Sequence, residues 1–440
     1  MRRRSIRRRP SRARGAIALL ALGSLAALLL VLSGCGAALR HVADDDARAD
    51  VDVDSASHGS CATTVLQTLG DVAERVYREG VASERTLSAT RMIERSPALR
   101  AAVEAEDPSA VQAAARSLIA TRHMTNLRVV RAGKVLADVG GPALAPISGT
   151  LTDTSGKPLA SFVTSVWADN GLIAETDGIA EATTMLRSEP ASGRGVTLAG
   201  AFGLPGGRLP RAGTFTHAGA AYAFASFTAR SYPRDRPLRV FVLRTTASLR
   251  PLCGASADDT TVNTLTRIAR LIYNGEAGER TLPQVRRVQR NQALLEAVAQ
   301  RNPRTTRVAV EALLHEHIVR LRVSAGGQVL VDDGGPYVLA PVRAPLRLDG
   351  RKIGSVLLSI QDDEGYKRLA NRLAGLDVLM YMGGKLVKST IGYSPGTVPT
   401  SGLFSHAGKS YRAYTFDAQA FPSGPLRITV LIPLPYSATA

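Results

Sequence analysis

The sequence predicts an α+β protein made of two tandem copies of one fold. The segment HMTNLRVVRAGKVLADVGGP at 123–142 returns as HIVRLRVSAGGQVLVDDGGP at 317–336. Later, GTFTHAGAAYAFASF at 213–227 returns as GLFSHAGKSYRAYTF at 402–416. The offsets of the two pairs are 194 and 189 residues. Self-similarity at such a long period indicates duplication of a whole domain.

Each copy is predicted to begin with helices and to continue with strands. In the second copy, TTVNTLTRIARLIY at 260–273 spaces its apolar residues near the helical period of about 3.6. The period then changes to two, which predicts a hairpin from 318–324 and 328–332 and a third strand at 352–360. A short helix over 364–375 and an antiparallel meander complete the copy. Leading helices packed on an antiparallel sheet make each copy an α+β domain.

The amino terminus has the composition of an export signal. The first fifteen residues hold eight arginines and no acid, and residues 15–34 carry no charge. Leu32-Ser33-Gly34-Cys35 then matches the bacterial lipoprotein box, in which a peptidase cuts before the cysteine and lipid is attached. The alternative is an uncleaved helical anchor, because twenty apolar residues can span a bilayer. Both interpretations place the rest at the extracytoplasmic face of the cell membrane.

We therefore divide the chain into four segments. The lipoprotein signal or membrane anchor covers 1–35. An acidic tether over 36–60 holds six aspartates and few large apolar residues, a composition that cannot offset its ordering entropy. The two folded copies cover 61–253 and 254–440.

The three cysteines have two predicted roles. Cys35 is the candidate lipidation site, whereas Cys61 and Cys253 lie just before and just after the first copy. Outside the cytoplasm such a pair is more often a disulfide than two free thiols, so we expect a Cys61–Cys253 disulfide. Two buried, unpaired thiols are the alternative.

Charge and motifs exclude several classes of function. The formal net charge is +18, and the second copy is more basic than the first. This charge would attract acidic surface polymers or anionic lipids; the alternative is that it reflects composition alone. Nucleic acid is not expected as a partner of an exported chain with few aromatic residues. The sequence has no His-Glu-x-x-His, phosphate-binding loop or dinucleotide fingerprint, and its histidines lack metal-ligand spacing. We therefore predict no enzyme, no cofactor and no metal site.

The order of elements resembles the Cache family of extracytoplasmic sensor domains, which is related to the PAS fold. The resemblance covers 62–250 and 258–434. It depends on the leading helices, on the turn GxVLxDxGGP at 133–142 and 327–336, and on GSVLLSIQDDEGY at 354–366. It implies binding of a small molecule outside the cytoplasm. One subset of the family binds amino acids through a Tyr/Arg/Trp cluster, but this chain has no Arg-x-Trp, so an amino-acid ligand is not implied.

Candidate ligand-binding residues follow from strand alternation and from this resemblance. Arg322 alternates with Leu321 and Val323, which are expected to face the helices, and its counterpart in the first copy is Arg128. The resemblance implies that the opposite face lines the ligand cavity, where guanidinium groups suit a carboxylate or another anion. The alternative is a solvated polar face. The same face, the adjoining helix and the meander supply the other candidates, Ser359, Tyr366, Tyr411 and Arg412.

The remaining predictions concern the role of two aspartates and which of the two copies binds a ligand. Asp138 and Asp332 lie just before a Gly-Gly-Pro turn and are interpreted as turn residues, with ligand contact as the alternative. The second copy is expected to bind, because the first has ASFVTSVWADNGL at 160–172 in place of GSVLLSIQDDEGY. The first copy also has a Gly-rich stretch at 190–213, which is costly to order.

The sequence thus predicts a membrane-anchored small-molecule sensor that acts through a signalling or transport partner. The first alternative is a structural or adhesive envelope lipoprotein with vestigial pockets, and the second is a solute-capture lipoprotein for a transporter. A polar-lined cavity in either copy favours binding, whereas apolar, filled interiors in both favour the structural role.

Overall fold

The two sequence copies fold into two repeats that contain the same elements in the same order. The computed structural model describes residues 61–121, 123–188, 195–233, 236–275, 281–314, 317–392, 396–422 and 424–436. Cys35, the predicted signal and the tether lie outside the described residues. Among the described residues, no helix is long and apolar enough to cross a membrane.

The first repeat consists of leading helices, strands and one helix inserted between strands. Its helices are α1 Cys61–Ala82, α2 Glu84–Glu94, α3 Pro97–Glu104, α4 Pro108–Ala120, α5 Asp169–Ala180 and α6 Thr246–Leu249. Its strands are β1 Asn126–Arg131, β2 Lys134–Gly140, β3 Ala143–Leu144, β4 Ile147–Thr152, β5 Pro158–Ser165, β6 Trp167–Ala168, β7 Thr183–Ser188, β8 Thr197–Ala199, β9 Ala212–His217, β10 Ala220–Ser231 and β11 Arg236–Thr245.

The second repeat follows the same order. Its helices are α7 Ala257–Gly275, α8 Thr281–Gln289, α9 Gln292–Ala299, α10 Pro303–Leu314 and α11 Asp363–Ala374. Its strands are β12 Arg320–Ala325, β13 Gln328–Gly334, β14 Tyr337–Leu339, β15 Val342–Leu348, β16 Arg351–Ser359, β17 Gln361–Asp362, β18 Asp377–Met382, β19 Lys385–Ser389, β20 Ser401–His406, β21 Lys409–Pro422 and β22 Gly424–Leu434.

Local sequence sets the first residue of several helices. The Ser96 hydroxyl accepts a hydrogen bond from the backbone N–H of Leu99 at 3.2 Å, and Pro97 follows as the first residue of α3. Asp107 caps α4 in the same way, and Asp362 caps α11. Polar caps satisfy free N–H groups of the first turn, and proline there has no N–H to satisfy.

Each repeat contains two antiparallel sheets. In the first repeat, sheet 1A has the order β2-β1-β5-β4, and sheet 1B has the order β6-β3-β10-β11-β7-β8 with β9 paired to β10. In the second repeat, sheet 2A has the order β13-β12-β16-β15, and sheet 2B has the order β17-β14-β21-β22-β18-β19 with β20 paired to β21. The strand orders of the two repeats are identical, which confirms the predicted duplication and the α+β class.

The division into two sheets was not predicted from the sequence, which assigned one sheet to each copy. Eleven strands in one open sheet would accumulate a large twist, and such sheets usually split. Here the chain passes from sheet A to sheet B at β3, returns for β4 and β5, and passes to sheet B again at β6. Sheets 1A and 2A pack on the short helices, whereas sheets 1B and 2B pack on α1 and α7.

One hydrophobic core joins the two repeats. It contains Leu69 and Val76 of α1, Leu265 and Ile268 of α7, and apolar residues of both B sheets, all of them buried. Helix α1 packs on α7 and on α11, and α7 packs on α5, so each leading helix contacts the inserted helix of the other repeat. Such reciprocal contacts are typical of a twofold interface, here within one chain.

A disulfide joins Cys61 to Cys253, as the sequence predicted. The two Cα atoms are 5.5 Å apart, and the residues are 192 positions apart in sequence. The bond connects the start of α1 to the residue after the turn Arg250–Leu252, which follows α6. It therefore closes a loop around the whole first repeat.

Candidate functional site

Sheet 2A has one face on helices α8–α10 and a second face that is polar. Leu321 and Val323 of β12 are buried against the helices, as their alternation predicted. Arg322 therefore lies on the opposite face, because successive side chains of a strand point to opposite sides. Its side chain is 30% exposed. We call this surface the open face of sheet 2A.

Strand register brings further charged residues onto the open face. Asp332 of β13 and Leu357 of β16 lie beside Arg322, and Arg343 of β15 lies beside Leu357. Residues that are directly paired across neighbouring strands share a face of the sheet. One row across the sheet therefore reads Asp332, Arg322, Leu357 and Arg343.

Asp332 holds this row together because two guanidinium groups contact its carboxylate. Arg322 donates to Oδ2 from Nε at 3.0 Å and from a terminal amino group at 2.6 Å. Arg320 donates from Nε to Oδ1 at 2.9 Å and from a terminal amino group to the carbonyl of Gly335 at 2.6 Å. Both guanidinium groups lie over the ring of Phe421, at 4.7 Å and 5.2 Å from its centre. These charge-assisted bonds fix the orientation of both arginines.

The electrostatics of this cluster leave an excess of positive charge. Burial alone raises the pKa of Asp332, but the hydrogen bonds and charges of Arg320 and Arg322 outweigh it and hold the pKa below its ordinary value. The carboxylate is therefore ionised at neutral pH. Two positive charges share one negative charge, so the cluster attracts anions.

A polar groove continues from the cluster along the open face. Its volume is about 370 Å³. Its polar side chains are Ser324, Arg343, Lys352 and Ser355, with Gly326 and Gly327 at the end of the hairpin β12–β13. Its lining contains two basic side chains and no acid. The groove and the cluster together form a basic surface on one sheet.

The first repeat contains the same cluster in a neutral form. Arg128 lies 3.6 Å from the carboxylate of Asp138, and the hydroxyl of Tyr232 donates to that carboxylate at 3.0 Å. Burial, together with the charge of Asp138, raises the pKa of Tyr232, which therefore stays a neutral donor. Asn126 and Ser148 occupy the positions of Arg320 and Arg343. The corresponding face of sheet 1A thus lacks the excess charge.

The structure does not bring together all the residues that the sequence singled out. Ser359 is fully buried, and its hydroxyl lies within hydrogen-bond distance of the carbonyl oxygens of Leu339 and Gln361, where the chain passes from sheet 2A to sheet 2B. Ser165 makes the equivalent contacts in the first repeat. Tyr366 is also fully buried.

The other three candidates, Tyr366, Tyr411 and Arg412, are buried or paired within the fold. The hydroxyl of Tyr366 donates to the carbonyl of Ala269 at 3.0 Å. Tyr411 is 2% exposed. Arg412 donates to the carboxylate of Asp259 at 2.6 Å. These residues belong to sheet 2B and α11, so the structure does not place them on the open face of sheet 2A with Arg322.

Sequence reasoning also missed three members of the cluster. Asp332 was interpreted as a turn residue, but the turn hydrogen bond comes from Asp333, whose carboxylate accepts from the N–H of Gly334 at 2.8 Å. Arg320 and Phe421 were not considered. A signal was available, because both sequence offsets align them with Asn126 and Tyr232. Among the described residues, no group of histidine, cysteine and acidic side chains is arranged to hold a metal ion.

Comparisons with known proteins return distant likenesses only. No family model matches the chain, and no curated protein matches it. The periplasmic domain of LuxQ from Vibrio cholerae is similar over 37% of this chain and 97% of its own, with 13% identity and a TM-score of 0.25. An extracellular ligand-binding receptor from Desulfohalobium retbaense DSM5692 is similar over 50% of this chain and 46% of its own, with 13% identity and a TM-score of 0.20.

Proposed function

We propose that the chain is a membrane-anchored, extracytoplasmic sensor whose second repeat binds a small carboxylate on the open face of sheet 2A. The imbalance of charge at this face carries the proposal. Arg320 and Arg322 share the carboxylate of Asp332, and Arg343 and Lys352 lie in the adjoining groove. An anionic ligand would neutralise this excess.

The geometry of the arginines supports a carboxylate in particular. A guanidinium group has five N–H donors in a planar fork, and Arg322 uses only two of its nitrogen atoms on Asp332. The remaining terminal nitrogen makes no hydrogen bond with any described residue, and the side chain is 30% exposed. The serine hydroxyls of the groove can bind the rest of the ligand. A polar-lined groove favours this role over a purely structural or adhesive one.

The expected location and partner are consistent with this role. The Cys61–Cys253 disulfide is typical of an oxidising, extracytoplasmic compartment. We propose that Cys35 carries lipid and that a signalling or transport protein receives the output of binding. Lipidation predicts that the membrane-extracted protein begins at Cys35, which the intact mass decides. A mass that includes residues 1–34 would leave a helical anchor instead.

Calorimetric titration with a series of small mono- and dicarboxylates tests the proposed ligand class. The tightest binder is then measured on Arg343→Ala, which removes one charge from the groove. Arg307→Ala is the matched control. Arg307 is exposed on α10, so this substitution removes the same charge from the other side of the sheet. We expect Arg343→Ala to weaken binding about 10-fold, equivalent to about 1.4 kcal/mol, and Arg307→Ala to leave it unchanged.

Two results would reject the proposal. One is the absence of saturable binding by any of the carboxylates. The other is equal loss in Arg343→Ala and Arg307→Ala, which would show that only the overall charge matters.

A further inference from the structure

A polar cavity lies between α1 and sheet 1B in the first repeat. Its volume is about 450 Å³. One wall consists of residues on successive turns of α1, namely Gln67, Gly70, Asp71 and Glu74. The facing wall belongs to the strands and includes Ser226 of β10 and Arg239 of β11. The proposed carboxylate site is in the second repeat, so this cavity is separate from it.

The cavity is bounded by small residues where helix and sheet approach each other. A Cβ atom added to Gly70 would lie 3.3 Å from the Cβ of Ala225. Larger side chains at these two positions would fill the space beside them. The second repeat contains the same helix and the same strands.

Hydrogen bonds identify the equivalent positions in the two repeats. The hydroxyl of Tyr77 on α1 accepts from the N–H of Arg230 at 3.0 Å, and that of Tyr273 on α7 accepts from the N–H of Gln419 at 2.8 Å. Helix positions therefore correspond at an offset of 196, and these strand positions at an offset of 189.

In the second repeat the same space is filled. Tyr414 occupies the position of Ala225, and Arg270 occupies the position of Glu74. The guanidinium of Arg270 lies 5.4 Å from the ring centres of both Tyr414 and Phe416 and donates to the hydroxyl of Tyr414. The open cavity is therefore a property of the residues of the first repeat and does not follow from the topology.

Asp71 is an acid of the cavity wall whose carboxylate accepts no hydrogen bond from the described residues. It is half-buried. Glu74, by contrast, is paired with Arg78 at 2.7 Å. Burial, followed by the charge of Glu74, raises the pKa of Asp71 to about 6. On the facing wall, Arg239 donates to the carbonyls of Leu209 and Pro210.

We propose that this cavity is a second binding site, for a small ligand that carries an ammonium group, with Asp71 as its ion-pair partner. An ammonium group would donate to the Asp71 carboxylate the hydrogen bonds that it lacks. Gln67 and Ser226 offer polar groups to the remainder of the ligand. The two repeats would then bind ligands of opposite charge, and neither site depends on the other.

Titration calorimetry with alkylammonium ions, from ethylammonium to 1,4-diaminobutane, tests this proposal, with the corresponding alcohols as neutral controls. Asp71→Asn removes the charge, and Ala225→Tyr reproduces the filled cavity of the second repeat. Glu104→Gln is the matched control, because it removes one exposed acid from α3. We expect saturable binding to the wild type and to Glu104→Gln, and a loss of 10-fold or more in both cavity variants.

Proton release gives a second readout that a change in stability alone would not produce. The charged and titratable groups around Asp71 are Glu74, Arg75 and Arg78 on α1, Arg211 and Arg239 on the facing wall, and Tyr436 after β22. Because the pKa of Asp71 is raised to about 6, ammonium binding near pH 6 should release part of a proton per ligand. Near pH 8 the release should vanish.

No saturable binding of any amine at about 10 mM, which excludes even a millimolar site, would overturn the proposal. Equal binding by the alcohols, or unchanged binding by both cavity variants, would overturn it as well. Carboxylate binding at sheet 2A would remain intact in each of these cases, so the two proposals fail separately.

Discussion

In the first repeat the space between the long helix and its sheet is open, whereas Tyr414 and Arg270 fill it in the second. In the A sheets the candidate site is in the second repeat instead. Sheet 2A carries Arg320 and Arg343 where sheet 1A has Asn126 and Ser148. Each repeat therefore contains one candidate site that the other repeat does not have in the same form.

The residues that did not change are those that hold the architecture. Ser165 and Ser359 make equivalent hydrogen bonds where the chain passes between sheets, and Tyr77 and Tyr273 hold the same strand in each repeat. Buried polar groups that lose their partners cost about 1–3 kcal/mol each, so these positions tolerate little change. Open faces and cavities carry no such penalty, and there the two copies differ.

The largest expected difference between the repeats comes from the disulfide around the first. Replacing Cys61 and Cys253 by serine should lower the free energy of unfolding by about 2–5 kcal/mol, because the unfolded chain regains the freedom of a long loop. Urea unfolding measures it. Reduction of the wild type should give the same loss, and a change below about 1 kcal/mol would show that the shared core alone holds this repeat.

The next largest difference is expected between the stabilities that the Asp332 and Asp138 clusters contribute. Asp332→Asn should cost about 1.5–3 kcal/mol, because two arginines lose a charged acceptor, whereas Asp138→Asn should cost about 1 kcal/mol or less. The pKa of Asp332 is lower in the folded protein, so its contribution is present above the ordinary pKa of about 4 and is lost as the pH falls through the folded value. Urea unfolding at neutral and acid pH measures both effects. Equal costs would remove the distinction between the clusters.

The smallest effects are expected at the ion pairs between the repeats. Arg372 contacts Glu79, and Arg267 contacts Glu181, with the arginine side chains 39% and 48% exposed. Exposed pairs contribute about 0.2–1 kcal/mol, so Arg372→Ala and Arg267→Ala should each change the free energy of unfolding by that amount or less. Thermal unfolding of the two variants checks it. A loss well above 1 kcal/mol in either variant would contradict this expectation.

The sequence predicted the duplication, the α+β class, the hairpin of β12 and β13 and the disulfide, since these depend on local periodicity and cysteine number. It did not predict the second sheet in each repeat, because β3 and β6 are only two residues long and give no periodic signal. The candidate site was predicted in part. Alternation placed Arg322 on the open face, but its contacts with Asp332 and Phe421 depend on tertiary packing.

The cavity beside Asp71 could not have been found from one copy alone. Its residues give no motif, and its volume comes from the absence of large side chains at Gly70 and Ala225. Aligning the two copies would have shown Ala225 opposite Tyr414 and Glu74 opposite Arg270. Comparison within the chain therefore holds information that a search for motifs misses.

The central claim, that the second repeat binds the carboxylate, is tested most directly by one pair of variants. Arg322→Ala and Arg128→Ala remove equivalent side chains from the two A sheets. Calorimetry with the tightest carboxylate should show a loss of about 30- to 1000-fold for Arg322→Ala, since a charged hydrogen bond lost from a binding site costs about 2–4 kcal/mol. Arg128→Ala should bind like the wild type. Unchanged affinity in Arg322→Ala, with a loss in Arg128→Ala, would place the site in the first repeat and contradict the account.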